Sequence, residues 1–355
     1  MPDFRAITNK VLKWYAVHQR VLPWRTVLPE KPDVYKVWVS EIMLQQTTVV
    51  TVQPYFLKFI ARFPTVQTLA AAPLENVLVL WSGLGYYSRA RRLHETAQRL
   101  AALHSWPQTP AAWETFPGVG KYTAAAVCAL AFQAPVLPVD ANIRRLLSRL
   151  LGAASQKSEI LAAQWSSALP KRTPWGDLAQ GLMDLGALFC YPKNPACAVC
   201  PLAENCVCAQ GQTPPEVLLG PAKRPFPRPI RCAYALCLMN EKGDVYVEKE
   251  EQNNLLKGLW RVPIFEAPAE IVQDTFPFDL RSLFSHFEWR LHLLLGPAEK
   301  GTAHFSPLKN MPLELKNFVC KPAGCFVSLE DSATLPFSSL MTKILKILKN
   351  KTQGN

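Results

Sequence analysis

The chain has no apolar run approaching the roughly 20 residues that cross a bilayer, so neither a membrane-spanning helix nor a membrane partner is expected. Its start, MPDFRAITNKVLKWYAVHQR, alternates charged with apolar residues and lacks the apolar core and small-residue cleavage site of a secretory leader. Cys128, Cys208, Cys232, Cys237, Cys320 and Cys325 show no pairing framework, which points to free thiols in a reducing cytoplasm. Acidic residues are scarce: 27 Asp and Glu face 39 Lys and Arg, a formal net charge of +12. Residues 1–210 hold 21 basic against 12 acidic residues and residues 211–355 hold 18 against 15, so the positive excess belongs mainly to the first part. A positive surface of this size favours a polyanion, most simply nucleic acid, through phosphate neutralisation and counterion release.

What is present is enough apolar material, 49% of 355 residues, for a large core and a second domain. Residues 1–211 read as an all-helical domain: VLKWYAVHQR, VWVSEIMLQQTTVVTVQPYFLKFI, RARRLHETAQRLAALH and KYTAAAVCALAF repeat apolar residues at helical spacing, and Pro and Gly separate them. Residues 212–229 include QTPPEVLLGPAKRPFPRP, whose prolines favour an extended linker. Residues 230–350 read as α+β. CAYALCLMN, DVYVEKEE, FEWRLHLLLG and GCFVSLED are strand-like, EKGD marks a turn, and Leu340, Ile344, Leu345 and Leu348 share one face of a terminal helix.

Cys190, Cys197, Cys200 and Cys206 form a C-x6-C-x2-C-x5-C run. Four thiolates so placed can close around one metal centre, and the unequal spacing departs from the paired C-x2-C units of most zinc modules, although a zinc knuckle is the plain alternative. In FPGVGKYTA, Gly118-Val119-Gly120 permits a tight turn whose amides, with a helix N-terminus behind them, can hold a phosphate; an ordinary helix corner would also use glycine there. Asp140, in VDANIRR, is placed to cap the helix that follows. Glu41, by pattern alone, is a surface glutamate on an amphipathic helix.

These strings together resemble the MutY branch of the endonuclease III family of DNA base-excision glycosylases, over nearly the whole chain. The resemblance implies a helix-hairpin-helix glycosylase domain whose cysteine loop holds a 4Fe-4S cluster through Cys190, Cys197, Cys200 and Cys206. It implies that Gly118, Val119 and Gly120 grip the DNA backbone and that Asp140 is catalytic, although Ala141 replaces the glycine of the family's D-G-N. Ser40-Glu41-Ile42-Met43-Leu44-Gln45-Gln46-Thr47 is similar to the signature S-E-x-M-L-Q-Q-T, whose glutamate protonates the leaving adenine. Loss of an unactivated purine needs a proton on the base and an anion beside the sugar cation, and a protonated Glu41 with an ionised Asp140 would divide those tasks. Tyr122 and Asn142 would position Asp140, the sugar phosphate or the water. Tyr122 occupies the place of the lysine nucleophile of the lyases, and Lys121 stands one residue early, about 100° round a helix, so a glycosylase without lyase activity is expected.

Arg20, Trp24 and Arg25 fall in a string similar to R-x-L-P-W-R and, with Leu44 and Asp184, are implied to line the pocket of the extruded base; Trp24 equally suits a core. Gly83-Leu84-Gly85-Tyr86-Tyr87-Ser88-Arg89 resembles the loop that enters the duplex, with Tyr86 beside the base opposite adenine and Gln46 filling the gap left behind. Leu255-Leu256-Lys257-Gly258-Leu259-Trp260 and Phe284-Ser285-His286 resemble the MutT-like (Nudix-like) domain that reads 8-oxoguanine. The chain has no Nudix run of glutamates, so that domain is expected to read and not to hydrolyse. The implied partner is double-stranded DNA carrying adenine opposite 8-oxoguanine or guanine, met by a monomer of bacterial type at the nucleoid. Two rivals are an endonuclease III-like glycosylase and lyase for oxidised pyrimidines, against which Tyr122 and Q-Q-T speak, and a non-enzymatic iron-sulfur DNA sensor, against which the Glu41 and Asp140 pair speaks.

Overall fold

The computed structural model describes residues 2–25, 31–211, 228–252, 256–268, 276–284, 287–299, 302–303, 320–321, 323–329 and 335–353. Most of the expected linker, together with Leu255, Ser285 and His286, lies outside the described residues. The chain divides into two compact units, one of Met1–Ala71 with Arg92–Lys223 and one of Ala72–Arg91 with Arg224–Asn355.

The first unit is helical, as its apolar periodicity predicts. It contains α1 (Phe4–His18), α2 (Val34–Leu44), α3 (Val49–Arg62) and α4 (Val66–Ala71), then the later part of α6 (Tyr87–Ala101), followed by α7 (Pro110–Trp113), α8 (Lys121–Phe132), α9 (Ala141–Leu151), α10 (Ser158–Ala168) and α11 (Trp175–Leu188). Side-chain caps start several of them: Asp3 accepts from the Arg5 and Ala6 amides, Asp33 from Tyr35, and Asp140 from Ile143. The expected single run from Val37 to Ile60 is in fact two helices. Gln46 turns left-handed at φ 57°, and the Thr48 hydroxyl accepts from the Thr51 amide to start α3; such local bonds compete with helix continuation.

Helix α8 is apolar on every side, and Thr123–Leu130 are all buried, which makes it the central element of this unit. It packs against α2 and α11, while α11 also packs against α1 and α9. Small residues let α11 approach closely. A Cβ added at Gly181 would lie 2.7 Å from Val11 Cγ1, and one at Gly186 would lie 2.9 Å from Asn142 Cβ. The core around α9 and α11 includes Val11, Ile143, Leu146, Trp165, Trp175 and Leu182, and Cys190, Cys200 and Cys206 pack at its margin.

The second unit begins with α5 (Leu74–Trp81) and the start of α6, and continues as β1 (Ile230–Met239), β2 (Val245–Lys249), β3 (Trp260–Arg261), β4 (Ile264–Glu266), β5 (Leu280–Leu283), β6 (Glu288–Glu299), β7 (Thr302–Ala303), β8 (Cys325–Val327) and α12 (Ser339–Gln353). Its sheet is mixed and runs β3-β2-β1-β6-β5, with β1 parallel to β6 and its neighbouring pairs antiparallel. At the predicted turn Asn240 Oδ1 accepts from the Lys242 and Asp244 amides. Leu340, Ile344, Leu345 and Leu348 are all buried along α12, and the unit is α+β as expected. Among the described residues no helix is long and apolar enough to cross a membrane.

Replacing Gly181 with Val would force α1 and α11 apart. Gly181→Val is expected to destabilise the fold by about 1–3 kcal/mol, read from urea unfolding; an unchanged midpoint would contradict the close approach of the two helices.

Candidate active site

Three elements bring the predicted chemistry together in the helical unit. The last turns of α2 and the bend after it, the start of α8 and the start of α9 line one cavity of about 660 Å³ with Arg20, Trp24, Arg25, Glu41, Leu44, Gln46, Tyr122, Asp140 and Asn142 on its wall. Glu41 is not a surface residue: it is 4% exposed, and its Oε2 is buried without a hydrogen-bond partner. Burial pushes its carboxyl up to about 7, a hydrogen bond from Tyr122 opposes the shift, and the nearby Asp140 charge adds to it. Burial and the two carboxylates in turn raise the Tyr122 phenol well above its ordinary range, so it stays a donor.

Asp140 does the capping job read from the sequence and faces the cavity as well. Oδ1 accepts from the Ile143 amide at 2.6 Å and Oδ2 from Asn142 Nδ2 at 3.0 Å. Burial raises its carboxyl above the usual value, and these donors with the charge of Arg145 oppose that rise. Ala141 is the first residue of α9 and does not adopt a positive φ, so the absent glycine costs the backbone nothing here.

Asp184 is placed differently from the other pocket candidates. It is fully buried, and it holds two residues of the wall: Arg25 reaches it through both terminal nitrogens at 2.7 and 2.8 Å, and Arg20 Nε at 2.7 Å. Burial alone would raise the Asp184 carboxyl, but the hydrogen bonds and charges of Arg25 and Arg20 prevail and hold it below its usual range. Trp24 serves both expected roles, being 8% exposed, set edge-on to Phe56 and still on the cavity wall. Lys121 is absent from this wall and lines a separate cleft with Arg144 and Lys171.

At the hairpin, Gly118 has φ 79° and packs directly on Arg92, Val119 is buried with its amide donating to Phe116 O, and Gly120 is the N-cap of α8, which has no side-chain cap. Gln45 Nε2 reaches Gly118 O and Thr123 Oγ1, tying the hairpin to the bend that carries Gln46. In the second unit, Tyr86 is 47% exposed with φ 51°, and Phe284 stacks on Phe287 at 4.8 Å between centroids.

Residues beyond the sequence reading support the site. Arg145 donates to Asn142 Oδ1, Gly186 O and Cys190 O, and so ties the partner of Asp140 to the first residue of the cysteine run. Arg149 donates to Tyr191 O and Pro192 O. Two adjacent turns of basic residues after Asp140 were visible, but their inward direction was not, since lone arginines on a helix usually face water.

Cys190, Cys197, Cys200 and Cys206 are free thiols that line one pocket, with Leu146, Leu202 and Cys208 beside them. Among the described residues no three His, Cys, Asp or Glu side chains are grouped as for a single metal ion. A lone zinc would need every thiolate about 2.3 Å from it. Four free thiols on one pocket are a donor set of the kind that can hold an iron-sulfur centre.

Residues 39–171 match the family model described as HhH-GPD superfamily base excision DNA repair protein. The adenine DNA glycosylase of Buchnera aphidicola subsp. Schizaphis graminum is 30% identical, across 96% of this chain and 97% of its own. The human adenine DNA glycosylase is 38% identical over 65% of this chain and 44% of its own. The solved structure of a thermostable thymine-DNA glycosylase superposes with a TM-score of 0.52 at 27% identity, covering 59% of this chain and 97% of that one. The fold and its hairpin define a helix-hairpin-helix base-excision protein. Within that class the chain belongs to the adenine DNA glycosylase family of MutY type.

Folded Glu41 stays neutral up to about 7, whereas its ordinary value is 4.5. The stability contributed by its raised pKa is therefore complete below about pH 4.5 and lost as pH rises through about 7. Glu41→Gln has no such loss and is expected to be more stable than the unsubstituted protein by about 3 kcal/mol above pH 7, with the advantage closing toward pH 4.5. Thermal melts across that range check this, and an advantage independent of pH would contradict the buried neutral carboxyl.

Proposed function

We propose that this protein is a monofunctional DNA N-glycosylase that extrudes adenine paired with 8-oxoguanine or guanine in duplex DNA and hydrolyses its glycosidic bond. The observation that supports it most is one cavity holding a carboxyl poised near 7, Glu41, and a carboxylate braced by backbone and amide donors, Asp140. Glu41 delivers its proton to a ring nitrogen of adenine as the bond to C1′ breaks and its electron pair leaves with the base. Asp140 stabilises the positive charge that develops on the sugar, water adds at C1′, and the water's proton returns to the ionised Glu41. Tyr122 keeps Glu41 oriented, and Asn142 keeps Asp140 oriented. The absence of Lys121 from the cavity wall favours hydrolysis over lyase chemistry.

In this reading Arg20, Trp24, Arg25 and Leu44 shape the base pocket, with Asp184 fixing the two arginines by ion pairs. Gly118, Val119 and Gly120 meet the DNA backbone, and Gln46 and Tyr86 fill and flank the gap in the stack. Cys190, Cys197, Cys200 and Cys206 hold a 4Fe-4S cluster, which when bound crosslinks the loop that Arg145 and Arg149 grip. The C-terminal unit is a MutT-like reader of 8-oxoguanine through Phe284, Ser285 and His286, and the protein works as a monomer on cytoplasmic, nucleoid DNA.

Single-turnover assays on a labelled duplex with adenine opposite 8-oxoguanine are expected to give strand breaks only after alkali, with rates falling as pH rises through about 7. Glu41→Gln is expected to lower the rate at least about a hundredfold. Alkali-independent cleavage of a thymine glycol duplex would overturn the assignment.

A further inference from the structure

The turn after α5 is held by an arrangement that its glycine-rich sequence does not predict. Gly83 and Gly85 have φ 93° and 76°, and Tyr86, with φ 51°, is a non-glycine residue in the left-handed region. A turn of this composition has many accessible shapes in isolation, yet its groups are tied down one by one. Trp81 Nε1 donates to Gly85 O at 3.1 Å, Arg89 Nη2 donates to the same carbonyl at 3.2 Å, and the Arg89 guanidinium lies 5.5 Å from the Trp81 ring and 5.4 Å from the Tyr86 ring.

Two hydroxyls then fasten the turn to a single distant carbonyl. Ser82 Oγ donates to Phe337 O at 2.5 Å and Tyr87 Oη donates to it at 3.0 Å, which uses both acceptor positions of that oxygen. Tyr87 Oη also accepts from the Gly83 amide at 3.1 Å, so one phenol joins the turn's own backbone to the segment before α12. That segment is fixed in turn. Phe337 is 2% exposed and bridges Trp260, the Trp260 amide donates to Pro336 O, and Ser338 Oγ accepts from the Met341 amide to start α12. The Leu256–Trp260 stretch docks on α5 and the start of α6 as well: Trp260 Nε1 donates to Glu75 at 2.9 Å, Arg91 donates to Lys257 O at 2.7 Å, and Gly258 leaves room for Leu78.

We propose that Ser82 and Tyr87 are positioning residues for partner-base recognition, holding Tyr86 in its left-handed, exposed pose by clamping the turn to the Phe337 carbonyl. The inference rests on the reading of Tyr86 as the residue that flanks the base opposite adenine. Without the clamp the two glycines regain their freedom, only a fraction of molecules present Tyr86 correctly, and apparent affinity falls by that fraction. The loss falls on the duplex whose partner base Tyr86 reads best.

The full-length protein, Ser82→Ala, Tyr87→Phe and Ser82→Thr are compared on duplexes holding a cleavage-resistant 2′-fluoro adenosine opposite 8-oxoguanine or guanine. Affinity and hydrogen exchange at the Gly83–Tyr86 amides are measured, with adenine release from ordinary duplexes as a separate readout. Ser82→Ala and Tyr87→Phe are expected to weaken the 8-oxoguanine duplex about tenfold more than the guanine duplex and to speed exchange in the turn, with saturating excision rates within about twofold, while Ser82→Thr retains both. Equal weakening on both duplexes, or unchanged affinity with unchanged exchange, would overturn the clamp. If the unsubstituted protein released no adenine, the glycosylase reading would fall, and the binding ratio and amide exchange would still decide the clamp.

Discussion

The hydrogen bond from the Ile143 amide to Asp140 Oδ1 does two things at once. It supplies the missing partner for an amide in the first turn of α9, and it fixes a carboxylate at the mouth of a cavity. An ion there would otherwise be too mobile to act on one atom of a substrate, and too poorly solvated to remain charged. The second oxygen is braced by Asn142, Asn142 by Arg145, and Arg145 by the carbonyls of Gly186 and Cys190. The position of the carboxylate therefore depends on α11 staying close to α9. That closeness depends on Gly186, where even one methyl group would meet Asn142.

Against this braced ion, Glu41 is treated in the opposite way. It is buried and has no partner for Oε2, so its neutral form is preferred up to about 7. Burial raises both carboxyl groups on this cavity wall, but at Asp140 backbone and amide donors oppose the rise, whereas Glu41 Oε2 has no such partner. Arg25 could have erased the difference by pairing with Glu41. Asp184 engages Arg25 through both oxygens instead, and the Arg25 charge opposes the rise at Glu41 without overcoming it.

The second unit solves a different physical problem. A small mixed sheet with one terminal helix must present an irregular, glycine-rich turn in one shape. It does so with hydroxyls, an arginine between two rings and a shared carbonyl, because none of these needs the turn itself to form regular structure. The Leu256–Trp260 stretch, read from sequence as a turn of the MutT-like domain, is in the described structure the surface on which α5 and the start of α6 rest.

The helical nature of the first unit, the cap at Asp140, the Asn240 turn and the buried face of α12 were all legible along the chain, because each depends on neighbours within four or five residues. The pairing of Glu41 with Asp140 was legible only through family resemblance, since composition and periodicity leave Glu41 on a surface. What the sequence determined by itself was therefore which residues could form helices, caps, turns and a thiolate set. Tertiary structure alone decided that Asp184 would pair with two arginines, that Arg145 would turn inward, and that Glu41 would be buried. Desolvation and long-range hydrogen bonding are properties of surroundings assembled from distant segments, and no local pattern encodes them.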